Sequence, residues 1–90
     1  MSLEVKGTIK VIGQVQYISQ SFSKQELVVT TEEQYKQDIL IEFHNDNTDK
    51  LHGFHPGQQV TVGINLRGKE HTNNQGQKRY YNTIVGWWIK

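Results

Sequence analysis

Cysteine is absent from the 90 residues, which excludes a disulfide framework, a thiolate zinc site and a cysteine nucleophile. Proline occurs once, at Pro56, where His55-Pro56-Gly57 reads as a turn. No run of roughly 18 apolar residues occurs, so nothing reads as membrane-spanning. The opening stretch, MSLEVKGTIK, alternates and carries charge, unlike a secretory signal, so a cytoplasmic location is expected. Neither sign of charge dominates: the net charge is +1, and the pI of 8.0 identifies no partner by itself. Apolar residues make up 34% of the chain, enough for one small core and too little for a second, so 1–90 is expected to be a single domain.

Catalytic signatures are missing too. There is no glycine-rich phosphate loop and no nucleophilic serine motif. Asp38 and Glu42 share a strand parity but would stand about 13 Å apart, too far for paired-carboxylate chemistry. His52 and His55 have a chelating spacing, but Gly53 and Pro56 break the segment and no third ligand is placed nearby. The expectation is a protein that is not an enzyme, with no cofactor and no metal site.

What the chain does contain is alternation. Leu3, Val5, Gly7, Ile9, Val11, Gly13, Val15 and Tyr17 share one parity, broken only by Ile12 on the other. Such a stretch is long for one strand, and Gly7 and Gly13 suit bends that let it curve between two sheets. Lys24–Thr31 and Asp38–His44 read as the second and third strands, with Ile39, Ile41 and Phe43 inward. Within Asn45–Phe54 a short helix is expected, capped by Asp46 or Asn47 and stopped by Gly53. Val60–Leu66 reads as a fourth strand, Gly68–Gln77 as a polar loop, and Tyr80–Ile89 as a fifth strand. The fold expected is all-β: a five-stranded antiparallel OB-fold barrel with a short helix between strands three and four. An SH3-like barrel is the structural competitor, disfavoured by strand length and by the position of the helix.

Charge is unevenly placed. Residues 67–90 carry five basic residues and one acid, a net of +4, against −3 for the remainder. An anionic partner would be drawn to the last hairpin.

That hairpin carries a resemblance. Gly57, Val60, Gly63, Leu66, Arg67, Thr72, Asn73, Gly76, Arg79 and Tyr80 match the pattern of the C-terminal half of bacterial single-stranded-DNA-binding proteins. Over nearly its whole length the chain also resembles a small uncharacterised bacterial family of stand-alone domains with that fold, and it is similar in size and plan to primosomal replication protein N. The resemblance implies an OB barrel that binds single-stranded nucleic acid, DNA more than RNA, without the acidic partner-recruiting tail of the larger proteins. Two departures stand out. His71 occupies a position often held by a large aromatic, and residues 1–54 match by pattern only.

An OB barrel binds single strands on the face of its second and third strands, flanked by the loops joining strands one to two and four to five. The candidates for nucleic-acid contact are therefore Phe22, Lys24, Tyr35, Lys36, His44, Arg67, Lys69, His71, Asn73, Lys78 and Arg79. Tyr17 has inward parity and reads as core more than as a stacking platform. On the last strand, Tyr81, Thr83, Val85, Trp87 and Ile89 are expected inward. Tyr80, Ile84 and Trp88 would then form an exposed apolar row, the kind of surface that marks a homodimer contact. The alternative to nucleic-acid binding is a protein-interaction or assembly module on the same scaffold.

Overall fold

The computed structural model describes residues 3–90, so the first two residues of the expected domain lie outside it. Six strands and one 3₁₀ helix follow in order: β1 Leu3–Ile12, β2 Gln16–Ser19, β3 Phe22–Thr31, β4 Asp38–His44, the helix Asn45–Leu51, β5 Gln59–Thr72 and β6 Lys78–Ile89. The sheet order is β1-β5-β6-β4-β3-β2, and β1 also pairs with β3, so five strands close into a ring. All pairings are antiparallel except the short parallel contact of β4 with β6, Glu42 beside Val85 and Phe43 beside Gly86.

The long first strand is broken rather than continuous. β1 and β2 both lie antiparallel to β3, interrupted at residues 13–15, where the Gly13 amide donates to the Glu26 carbonyl at 2.8 Å. Ring closure depends on Gly7. It pairs with Thr31 of β3 and with Val60 of β5, so β1 turns there from one sheet segment to the next. A Cβ at Gly7 would land on the Thr30 carbonyl oxygen, and no other residue fits that close approach.

A bulge at Lys10 then shifts the register between Ile9 and Val11. This corrects the expected parity. Ile9 is buried, Val11 is turned outward at 48% exposure, and Ile12, the sequence exception, packs against the core. Tyr17, expected in the core, lies 82% exposed on β2, because the break at residues 13–15 uncouples it from the β1 alternation.

The barrel interior holds Ile9, Leu27, Val29, Ile41, Phe43, Leu51, Val60, Val62 and Ile64. β3 and β4 alternate regularly, with Leu27 opposite Ile41 and Val29 opposite Ile39 on the inner face. Leu51 brings the 3₁₀ helix onto one end of the barrel, and Phe54 packs behind it. No side chain caps this helix; instead Asn45, at φ 53°, turns the chain into it and accepts the Ser23 amide on Oδ1 at 2.9 Å.

The largest departure from expectation is the last hairpin. Residues 68–72 are strand, not loop, and β5 pairs with β6 without a break from Thr72↔Lys78 to Ile64↔Gly86. The connecting turn is only residues 73–77. Among the described residues β1 pairs with β5 as far as Leu3↔Ile64, and β4 pairs with β6 at Glu42 and Phe43. Beyond those pairings β5–β6 continues as a two-stranded arm to which no other described strand is paired. It contributes to the 45 Å longest dimension of the molecule.

Candidate nucleic-acid interface

Because residues 67–71 are paired strand, alternation sorts the arm's side chains into two faces, with cross-strand partners on the same side. One face carries Arg67 opposite Thr83, Lys69 opposite Tyr81, and His71 opposite Arg79. The other carries Leu66 opposite Ile84, Glu70 opposite Tyr80, and Thr72 opposite Lys78. The only acid in the arm, Glu70, thus lies on the second face, where Lys78 Nζ reaches Glu70 Oε1 at 3.4 Å. Among the described residues no carboxylate lies within ion-pair distance of Arg67, Lys69 or Arg79. The first face is therefore a run of three unneutralised cations interleaved with an exposed tyrosine and a histidine. Lys78 does not belong to it.

Asn73 is placed differently from the other candidates. Its Oδ1 accepts the amides of Gln75 at 2.9 Å and Gln77 at 3.0 Å, and its Nδ2 donates to Gln77 Oε1 at 3.0 Å. With Gly76 at φ 81° these bonds form the turn. The side chain is committed to the hairpin tip.

The outer face of β3–β4 has another character. Phe22, Lys24 and His44 gather at one end. The Phe22 and His44 rings meet edge to face at 4.9 Å, and Lys24 is paired with His44 across the strands. Both cationic candidates are tied to one acid. Glu42 Oε1 is 2.9 Å from His44 Nε2, and Glu42 Oε2 is 3.7 Å from Lys24 Nζ. Glu26 stands directly opposite Glu42, and Val11, Val28 and Leu40 form an apolar row beyond them. The far end is closed by Asp38, which accepts from Lys10 Nζ at 2.8 Å and from Thr30 Oγ1 at 2.7 Å. The Lys10 hydrogen bond first, and the Thr30 hydroxyl second, hold the Asp38 carboxyl below the ordinary value of 3.8. With Glu26, Glu42 and Asp38 against Lys10 and Lys24, this face offers no net positive charge.

Tyr35 and Lys36 sit in the β3–β4 connection at the opposite end of the barrel from Phe22. Tyr35 is exposed, and Lys36 borders a shallow recess with Thr8, Lys10 and Gln59. The eleven sequence candidates thus separate into the arm, the Phe22–His44 end and the Tyr35–Lys36 end.

On β6 the expected outer row does not form. The register with β5 jumps from Gly63↔Trp88 to Ile64↔Gly86, so Trp87 is an extra, bulged residue. The bulge resets the alternation. Before it, Ile84 points inward and packs against the core, and Gly86 lies against the Phe43 ring. After it, Ile89 points inward and Trp88 lies outside across Gly63, where a Cβ would collide with the indole. Tyr80, Ile84 and Trp88 do not share a face, so the subunit contact built on that row loses its basis. Trp87, expected inward, is 42% exposed, with its ring edge to face with Trp88 at 6.1 Å.

A closed five-strand ring, a short helix after the third barrel strand and a projecting last hairpin define an OB-type all-β barrel. The chain belongs to the family described as Domain of unknown function (DUF3127), which matches residues 4–90. No curated protein matches it in sequence. Its fold is similar to that of the mitochondrial single-stranded DNA binding protein Rim1 of S. cerevisiae, with a TM-score of 0.71 at 13% identity, covering 100% of this chain and 92% of that one. A selenomethionine-labelled structure of the same yeast protein gives a TM-score of 0.58 at 13% identity, over the same 100% and 92%.

Proposed function

We infer that this chain binds single-stranded nucleic acid, DNA in the first instance, with little sequence preference. The observation that carries the reading is the placement of Arg67, Lys69 and Arg79, without acidic partners, on one face of the projecting arm beside Tyr81 and His71. Phosphates are held by the three cations, and bases stack on the two rings, an interaction that every base can make. Likeness in fold to a yeast protein described as binding single-stranded DNA agrees with this reading. Phe22 and His44 at one end of the barrel, and Tyr35 and Lys36 at the other, are secondary contacts. Lys24 contributes less, because Glu42 already neutralises it.

The test is fluorescence anisotropy of a labelled oligo(dT) at low salt, where backbone contacts are strongest. Saturation by micromolar protein is the expected result. A flat titration would remove the reading. A flat titration would also favour the second reading, a protein-interaction module. The observation behind that alternative is the β3–β4 face without net positive charge, with its Val11–Val28–Leu40 row, exposed at Val11 and Leu40, and Glu26 opposite Glu42.

A further inference from the structure

We propose that Trp87 is a stacking platform for a nucleobase, so that a bound strand runs chiefly along the outer side of β5–β6, with the residues at the ends of β3–β4 as secondary contacts. The proposal rests on the nucleic-acid reading given above and extends it to a second site. In a regular strand, neighbouring tryptophans would face opposite sides. The one-residue bulge brings the two rings together on the outside at 6.1 Å and 90°. Their environments differ. Trp88 is occupied, with Gly63 under its ring and Lys90 Nζ 5.5 Å from its centroid. Trp87 keeps 42% of its surface open, and Trp88 holds it from one edge.

Two cations stand near the tryptophan pair, neither of them on the Trp87 ring. Lys50 Nζ donates to the Trp87 carbonyl at 2.7 Å, and Lys90 stands beyond Trp88. Glu4, paired with Gly63, is the acid on this row. An exposed indole held against Trp88, with ammonium groups at its backbone and beyond its neighbour, suits a ligand that alternates planar bases with phosphates. The same outer side leads from Trp88 and Gly63, through Asn65 and Val85, to Arg67 and Lys69. At about 3.3 Å per residue, Gly63 and Arg67 are about 13 Å apart. The tryptophans and the arm cations thus form one track several nucleotides long. By contrast, the β3–β4 face presents Glu26 and Glu42 where a strand would cross.

The experiment compares Trp87→Ala and Trp87→Phe with the unaltered chain, using two ligands of equal length. One is oligo(dT) and the other is an abasic deoxyribose-phosphate oligomer that offers phosphates alone. Trp87→Ala is expected to weaken oligo(dT) binding by about 5- to 150-fold, and Trp87→Phe by less than about threefold. Affinity for the abasic oligomer is expected to be the same in all three proteins. Equal binding of oligo(dT) by Trp87→Ala and the unaltered chain overturns the platform and leaves the binding function standing. Equal loss of both ligands in Trp87→Ala overturns it as well, since the ring would then be structural or cover a second copy. If the unaltered chain binds neither ligand at low salt, the functional reading falls and the platform with it.

Discussion

Removing the arm's outward cations one at a time should flatten the salt dependence of oligonucleotide binding in equal steps. Each phosphate neutralised on a single strand contributes about −0.7 to the slope of log K against log salt. Arg67, Lys69 and Arg79 share one face and lack acidic partners, so the arm sets a slope of about −2. Between roughly 50 and 200 mM salt, affinity should then fall about 18-fold. Arg67→Ala, Lys69→Ala and Arg79→Ala should each bring the slope up by about 0.7. Lys78→Ala is the internal control. Its side chain lies on the other face, 3.4 Å from Glu70, and its loss should leave the slope where it was. Anisotropy titrations of a labelled oligo(dT) at four salt concentrations measure all of this. A Lys78→Ala slope that drops as far as the Arg67→Ala slope would refute the two-face assignment. A slope near zero for the unaltered chain would refute phosphate binding by the arm.

Three further outcomes are expected. Because Asp38 titrates lower in the folded chain than in the unfolded one, its contribution is complete above the unfolded value and is lost as pH falls through the folded value. The urea midpoint should decline on acidification below about pH 4, and Asp38→Asn should remove that part of the decline; an unchanged decline would show that other groups carry it. Gly7→Ala should cost about 2–4 kcal/mol in urea unfolding, because its Cβ meets the Thr30 backbone rather than a movable side chain, and a loss under about 0.5 kcal/mol would mean the corner yields. Asn73→Ala removes three exposed turn hydrogen bonds and should shift the Gln75 and Gln77 amide resonances without moving the thermal midpoint of the barrel by more than a degree or two; a large drop in that midpoint would mean arm and barrel unfold as one.

The barrel was largely legible in the sequence because period-two alternation survives where strands are regular. Asp38–His44 matches β4 at both ends, with Ile39, Ile41 and Phe43 inward. Errors entered where one residue was added to a ladder. The bulge at Lys10 reverses Val11 and Ile12, and the bulge at Trp87 reverses the faces of β6 that precede it, while Trp88 stays outward and Ile89 inward as expected. Composition gives only a weak signal for such insertions. A glycine followed by two tryptophans, at 86–88, is one, since consecutive large rings gain from sharing a side only if the alternation breaks. The arm was misjudged for another reason. Lys69, Glu70 and His71 have loop-like polarity because they stand outside the core, yet their backbone continues a ladder that begins inside it. The sequence supplied the cations of the site, and the register alone decided which side each one faces.

Among the described residues β1 pairs with β5 as far as Leu3 beside Ile64, and β4 pairs with β6 at Glu42 beside Val85 and Phe43 beside Gly86. Past those pairings, and past Ile84 where it packs on the core, no other described strand pairs with the ribbon. From Arg67 to Thr72 the ribbon projects about 17 Å. A thin ribbon is stiff against in-plane shear and compliant to bending across its faces. A tilt of about 15° at the base of the ribbon sweeps the tip through about 4 Å, mostly along the direction in which Arg67, Lys69 and Arg79 point. The molecule thus holds its charges on a spring rather than on a wall. Capturing a ligand costs the entropy of stilling that spring, and shortening or bracing the arm would trade reach for affinity.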